Sequence, residues 1–177
     1  MPFIKAGRLA EDGFVRVRDE EPVPEDVPVL VPASRLLADS QEFAAHRGPV
    51  GVIWPNNRRV AELAPHLDRL ALIALVFPTF RDGRAYSQAR ILRERYGFRG
   101  ELRATGDVLR DQFLFLARAG FDAFEVKKDA DVAAFAAALA RFSVVYQPAA
   151  DQRASSFSRR LTEQAQHAGQ ARPETVP

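Results

Sequence analysis

Cysteine is absent from all 177 residues, which excludes disulfides, thiolate nucleophiles and cysteine-ligated iron–sulfur or zinc sites. Histidine is scarce: His46, His66 and His167 stand apart, none in a familiar ligand spacing such as HExxH, so no metal site is expected. There is no GxGxxG fingerprint and no phosphate-binding P-loop, and Ser87 has no GxSxG elbow around it; no cofactor is expected. No apolar run approaches the roughly 20 residues of a membrane helix. The opening MPFIKAGRLAEDGF lacks the continuous apolar stretch of a secretory signal, so a soluble, cytoplasmic protein with no membrane partner is expected. Net charge is small as well, at +2 with a pI near 9.3, because the base is nearly all arginine. Without an RNA-binding motif, those arginines do not indicate nucleic acid.

What is present is apolar and periodic. Nearly half the residues are hydrophobic, enough for one core in a chain that buries about two-thirds of its unfolded surface. Residues 1–26 read as an N-terminal extension with one short strand in GFVRVRDE, followed by a Pro and acid linker. From residue 27 the pattern becomes a short apolar run, a polar turn, then a helical period. The runs are VPVLV (27–31), PVGVIW (49–54), LALIALVF (70–77), ELRA (101–104), AFEV (123–126) and SVVYQ (143–147).

Between these runs Ser34, Asn56, Asp107 and Asp129 are expected to open helices. A helix is expected over 83–96, burying Ala85, Ala89, Leu92 and Tyr96 and ending at Gly97. A second, over 108–119, carries Leu109, Phe113 and Leu116 inward and stops at Gly120; a third carries Val132, Phe135, Ala136 and Leu139. Residues 27–147 are thus expected to form one α/β domain. Its mostly parallel sheet has about five or six strands with crossover helices, either open or a partial (β/α) barrel, since a full eightfold barrel needs about 250 residues. Residues 148–177 lack core signals and read as a mobile tail with a helix around 156–166.

Loops that follow parallel strands share one sheet edge, where ligands usually bind. The loop after 70–77 offers Arg81, Asp82, Arg84, Tyr86 and Ser87; the loop after 101–104 offers Thr105, Gly106, Asp107 and Arg110; the loop after 123–126 offers Lys127. Residues 81–118 hold nine Arg against five acids, and guanidinium forks near a helix start suit a small oxyanion. The alternative use of the same residues is local: Asp82 and Asp107 as caps, the arginines paired with neighbouring acids. Strand alternation puts Glu101, Arg103 and Thr105 on one face and Ala123, Glu125 and Lys127 on one face, so Arg103 and Glu125 are expected to meet as an internal ion pair or within a site.

The segments DGRAYSQARILRERYG, GELRATGDVLRDQ and GFDAFEV, with weaker similarity from about 27 to 151, resemble the bacterial family of unknown function 934. That resemblance implies a place in assimilatory sulfite reduction, through gene neighbourhood, and an oxidoreductase label. It also marks Asp82, Gly83, Arg84, Tyr86, Ser87, Arg90, Arg103, Gly106, Asp107, Arg110, Asp111 and Gln112 as recurring positions without assigned roles. The expected function is an accessory protein of sulfite reduction that binds sulfite reductase or a small oxyanion at the carboxyl edge of the sheet. The alternatives are a small-molecule enzyme or phosphate-binding protein of barrel-like type, and a homodimeric scaffold using the Phe-rich surface of FLFLA (113–117).

Overall fold

A computed structural model of the chain describes residues 3–5, 7–126, 131–141, 145–150 and 155–170. Its centre is a single open, curled sheet, a half-barrel. In chain order the strands are β1 (Phe3–Lys5), β2 (Arg8–Ala10), β3 (Val15–Arg16), β4 (Val29–Pro32), β5 (Val50–Trp54), β6 (Leu70–Phe77), β7 (Glu101–Gly106) and β8 (Ala123–Glu125). Their spatial order is β2-β1-β8-β7-β6-β5-β4-β3. From β3 to β8 every pairing is parallel; β1 runs antiparallel to both β2 and β8.

Eight strands exceed the expected five or six because the N-terminal residues join the sheet. The residues anticipated as an extension with one strand supply three: β3 lies on β4, and the β1–β2 hairpin lies on β8. These strands are two or three residues long, too short for an apolar alternation to announce them.

Each new parallel strand is laid beside the one before it, always on the same side, and the connections carry the helices to a single face. They are α1 (Ala33–Ala38), α2 (Ser40–Ala45), a 3₁₀ helix at Val60–His66, α3 (Arg84–Arg90) with a π turn at Ile91–Arg95, a 3₁₀ turn at Arg110–Gln112 running into α4 (Phe113–Ala119), and α5 (Asp131–Ala140). The main core lies between these helices and the sheet, with Val52, Trp54, Ile73, Leu75 and Leu102 from strands meeting Leu36, Phe43, Ala85, Ala89, Leu92 and Leu116. Phe113, Phe124 and Phe135 form an aromatic triad with centroids 4.7–5.7 Å apart, which seats α4 and α5 on β8. The opposite, concave face holds a smaller cluster of Leu30, Leu72 and Ala74, covered by Phe14.

Several expected caps move. Ser34 sits inside α1 and donates to Asp19 at 2.7 Å. Asn56 is buried, and the helix after it starts at Val60, where the Glu62 carboxylate accepts the Arg59 N–H at 3.1 Å. Asp107 does not cap α4; the helical path begins at Arg110, and Gln112 Oε1 accepts the Leu109 N–H at 3.0 Å. Gly97 (φ 64) and Gly120 (φ 101) end their helices as expected. Ala136 is exposed where burial was expected, while Phe135 is buried. The expected opener Asp129, and Ser143 and Val144 of the expected sixth run, lie outside the described residues; Val145 makes one parallel bridge with Ser155, which leads into α6 (Ser156–Gln170). Among the described residues, no helix is long and apolar enough to cross a membrane.

Candidate functional site

At the carboxyl edge of the sheet, β6 ends at Phe77 and β7 ends beside it at Gly106. Gly106 has φ 95, and a Cβ there would lie 2.4 Å from the Phe77 carbonyl oxygen, so the residue must be glycine for the strands to stay this close. The next peptide uses that contact: the Asp107 N–H donates to Phe77 O at 2.8 Å. Asp107 then reaches across, its Oδ2 accepting the Phe80 N–H at 3.0 Å, while Gln112 Nε2 donates to Phe80 O at 3.1 Å. Both polar groups of one backbone residue are therefore gripped by the neighbouring loop, and the two loops form one rigid rim.

Beyond Phe80 the rim is ionic. Arg81 is exposed and lays its guanidinium 5.5 Å from the centroid of the Phe80 ring. Asp82 and Arg84 form a two-pronged pair, with Oδ1 to Nε at 2.9 Å and Oδ2 to Nη2 at 2.6 Å, and Oδ1 also accepts the Arg84 N–H at 3.3 Å. The Arg84 side chain thus holds the Asp82 carboxyl well below the usual carboxylate range, and Asp82 raises Arg84 in return. The Asn56 amide leans the same way, but its Nδ2 stops short of a hydrogen-bond partner. Tyr86 is half-buried, edge-on to Phe77 at 5.3 Å. Burial first, then the Asp111 charge, pushes its phenol up to about 12, against a hydrogen bond from Gln112. Ser87 and Arg110 are exposed on the outer side; Lys127 lies outside the described residues.

The other two candidates stand elsewhere. Arg103 and Thr105 project from the concave face, among charges that meet across the sheet. Arg103, 1% exposed, sends Nε to Glu101 at 2.9 Å and Nη1 to Asp12 at 2.7 Å and Glu125 at 3.7 Å. Thr105 donates to Glu125 Oε2 at 2.6 Å, Lys5 reaches Glu101 at 2.7 Å, and Arg16 pairs with Glu125. The Phe3 ring lies 4.2 Å from the guanidinium. Burial alone would lower the Arg103 pKa; the hydrogen bond to Asp12 and the charges of Glu101 and Asp12 outweigh it and hold it above its ordinary value. The expected Arg103–Glu125 meeting is present, as part of a larger network.

That network was not legible in full. Lys5, Asp12 and Arg16 lie in the N-terminal residues, and the only signal for them was the alternation of Val15 and Val17 with Arg16 in GFVRVRDE. Gln88, expected among the polar groups that follow β6 at the sheet edge, is instead buried by α3, and its Nε2 donates to Pro55 O at 3.3 Å and Arg58 O at 2.9 Å, tying the loop after β5 to the rim.

The rim continues along α3 into an open groove of about 620 Å³ between α3, α4 and residues 145–149. Tyr86 and Arg90 form one wall, Phe115 and Arg118 the other, and Tyr146 lies across it. Phe115 is 65% exposed and Tyr146 84%.

Fold and site together define a singly wound α/β half-barrel with a stiffened, self-paired ionic rim. The chain belongs to the bacterial family of unknown function DUF934, which matches residues 51–157, from β5 to the start of α6. No curated protein matches it.

Proposed function

We propose that the chain is an accessory protein of assimilatory sulfite reduction that docks on sulfite reductase through the rim and the adjoining groove. The pathway comes from the family resemblance. The docking mode is supported by one observation: Asp82 pairs with Arg84, Arg90 with Glu94 and Asp107 with the Phe80 N–H, while Phe80 stands exposed beside Arg81, and Phe115 and Tyr146 beside Arg90. Aromatic and arginine side chains in this arrangement are the usual anchors of protein interfaces, contributing large contact area at low ordering cost.

Proton-transfer chemistry is poorly served at the same place. The rim groups displaced from their ordinary pKa, Asp82 downward and Arg84 and Tyr86 upward, are all displaced away from neutrality, whereas a general acid or base works best near it. The reading is tested by quantitative pull-down with the tagged protein from sulfate-grown cells, comparing wild type with Phe115→Asp and Arg84→Glu. Enrichment of sulfite reductase that both substitutions abolish is expected. Failure to enrich the reductase at any ionic strength would refute the proposal.

A further inference from the structure

The charges on the concave face balance in an uneven way. Among the described residues of this network Lys5, Arg16 and Arg103 are positive and Asp12, Glu101 and Glu125 negative, three against three. Five of the six are fixed on strands: Lys5 on β1, Arg16 on β3, Glu101 and Arg103 on β7, and Glu125 on β8. Asp12 alone sits on an irregular segment, the exposed turn between β2 and β3. Without it the face carries three positive charges against two negative ones, an excess of one, around a guanidinium that is almost completely buried.

We propose that Arg103 is the centre of an anion site for a small oxyanion or carboxylate, and that the chain's own Asp12 occupies it as an internal competitor. This site is separate from the docking rim and does not depend on it. Its parts are on the structure. Arg103 Nη1 holds Asp12 Oδ2 at 2.7 Å, a charge-assisted bond of the kind a free oxyanion oxygen would make. Phe3 and Phe14 lie 4.2 and 5.9 Å from the guanidinium and wall the position with aromatic rings, which strengthens the interaction by excluding water. Lys5 and Arg16 belong to the same network while remaining about half exposed, so the site meets solvent beside the turn between β2 and β3, which lies over Arg103 as a strap.

The strap is built to let go at this one point. Besides Arg103, the Asp12 side chain accepts, among the described residues, only the nearby Phe14 N–H, at 3.2 Å. Its neighbour Gly13 has no atom within 4 Å of where a Cβ would stand. Open space therefore lies beside the turn at Gly13, while β1 and β3 on either side are held by pairing in the sheet. An anion entering the site would release the Asp12 turn, and the protein's N-terminal surface would report occupancy.

A tethered competitor raises the apparent dissociation constant of a free ligand by one plus the ratio of its effective concentration, commonly in the millimolar range, to the dissociation constant the same group would have untethered. Removing it restores intrinsic affinity. The experiment uses the full chain and its Asp12→Ala variant, titrated calorimetrically with sulfate, phosphate and acetate at ionic strength held constant with chloride. Asp12→Ala should bind at least one of the three about tenfold more tightly than wild type, and adding Arg16→Ala should weaken that binding again. Arg16 is half exposed, so removing it disturbs the fold less than removing the buried Arg103, and a thermal melt of each variant checks that it is folded before titration. Equal affinity in wild type and Asp12→Ala would overturn the proposal. So would a response that chloride reproduces, since that reports general salt and not a site.

Discussion

Arg103→Met separates a buried ionic network from a solvated one. The substitution keeps side-chain length and the apolar contact with Phe3 and Phe14 but removes the cation that faces Glu101 at 2.9 Å, Asp12 at 2.7 Å and Glu125 at 3.7 Å. Asp12 relaxes into water, because it lies on an exposed turn. Glu125 does not: its side chain is 4% exposed, and only Arg16 and the Thr105 hydroxyl remain to it. Glu101 keeps Lys5, from a side chain 9% exposed. Breaking a buried pair by removing one partner costs about 3–5 kcal/mol, and in a chain of this length each kcal/mol lowers the melting temperature by about 2–4 °C. A fall of about 6–20 °C is therefore expected in scanning calorimetry, with a matching loss of unfolding free energy in urea. Adding Glu125→Gln should recover part of it, since one of the two buried carboxylates that lost the guanidinium is then neutral, and the double-mutant cycle reads the coupling directly. Lys5→Ala, acting on a pair with one end in solvent, should cost under about 1 kcal/mol. A loss below 1 kcal/mol for Arg103→Met as well would refute the argument, because the concave face would then be hydrated.

Three further outcomes are expected. Gly106→Ala forces a Cβ toward the Phe77 carbonyl at positive φ and should cost about 1–3 kcal/mol, measured by urea denaturation; a change under 0.5 kcal/mol would mean β6 and β7 separate easily at their ends. The raised Tyr86 pKa makes the native state hold its proton more tightly than the unfolded chain, so its contribution is complete below pH 10 and is lost as pH rises from 10 toward 12. Stability should fall across that window in wild type and less steeply in Tyr86→Phe, and equal slopes would count against the burial of the phenol. Phe135→Ala removes the residue that seats α5 against Phe113 and Phe124 and should cost about 3–5 kcal/mol, with early hydrogen exchange across α5; unchanged exchange there would show that the helix is held by other contacts.

The parallel half of the sheet was legible because it is buried on both faces. LALIALVF has no room for polar residues when helices cover one side and Phe14 and Leu30 the other, so it reads as a continuous apolar run. The helix stripes of α3 and α4 followed from their 3.6-residue period, and Gly97 and Gly120 from the demand for a left-handed residue at a helix end. The caps were less readable. Asp107 looks like an opener by type, yet the backbone at Gly106 turns so tightly that the helix starts three residues later and the carboxylate finds the Phe80 N–H instead. Sequence order marks which residues follow a strand, not which loop they will grip.

The candidate residues divided for a related reason. Rim positions follow from lying just beyond a strand, and Arg81, Asp82, Arg84 and Tyr86 did gather there. Arg103 and Thr105 lie within β7, where alternation aims them at the concave face. Their partners Lys5, Asp12 and Arg16 come from short segments about 90 residues earlier, a separation at which no local periodicity carries information.

Among the described residues the half-barrel also leaves two unpaired borders, and their brevity has a consequence for self-association. The outermost strands, β2 and β3, run for three and two residues, against about five or six in a typical strand. Each carries an arginine, Arg8 and Arg16, on a border that would otherwise template the addition of a foreign strand. A second molecule pairing along either side would gain only a few ladder hydrogen bonds. The open sheet is thus protected from growing into a fibre by the shortness of its own ends.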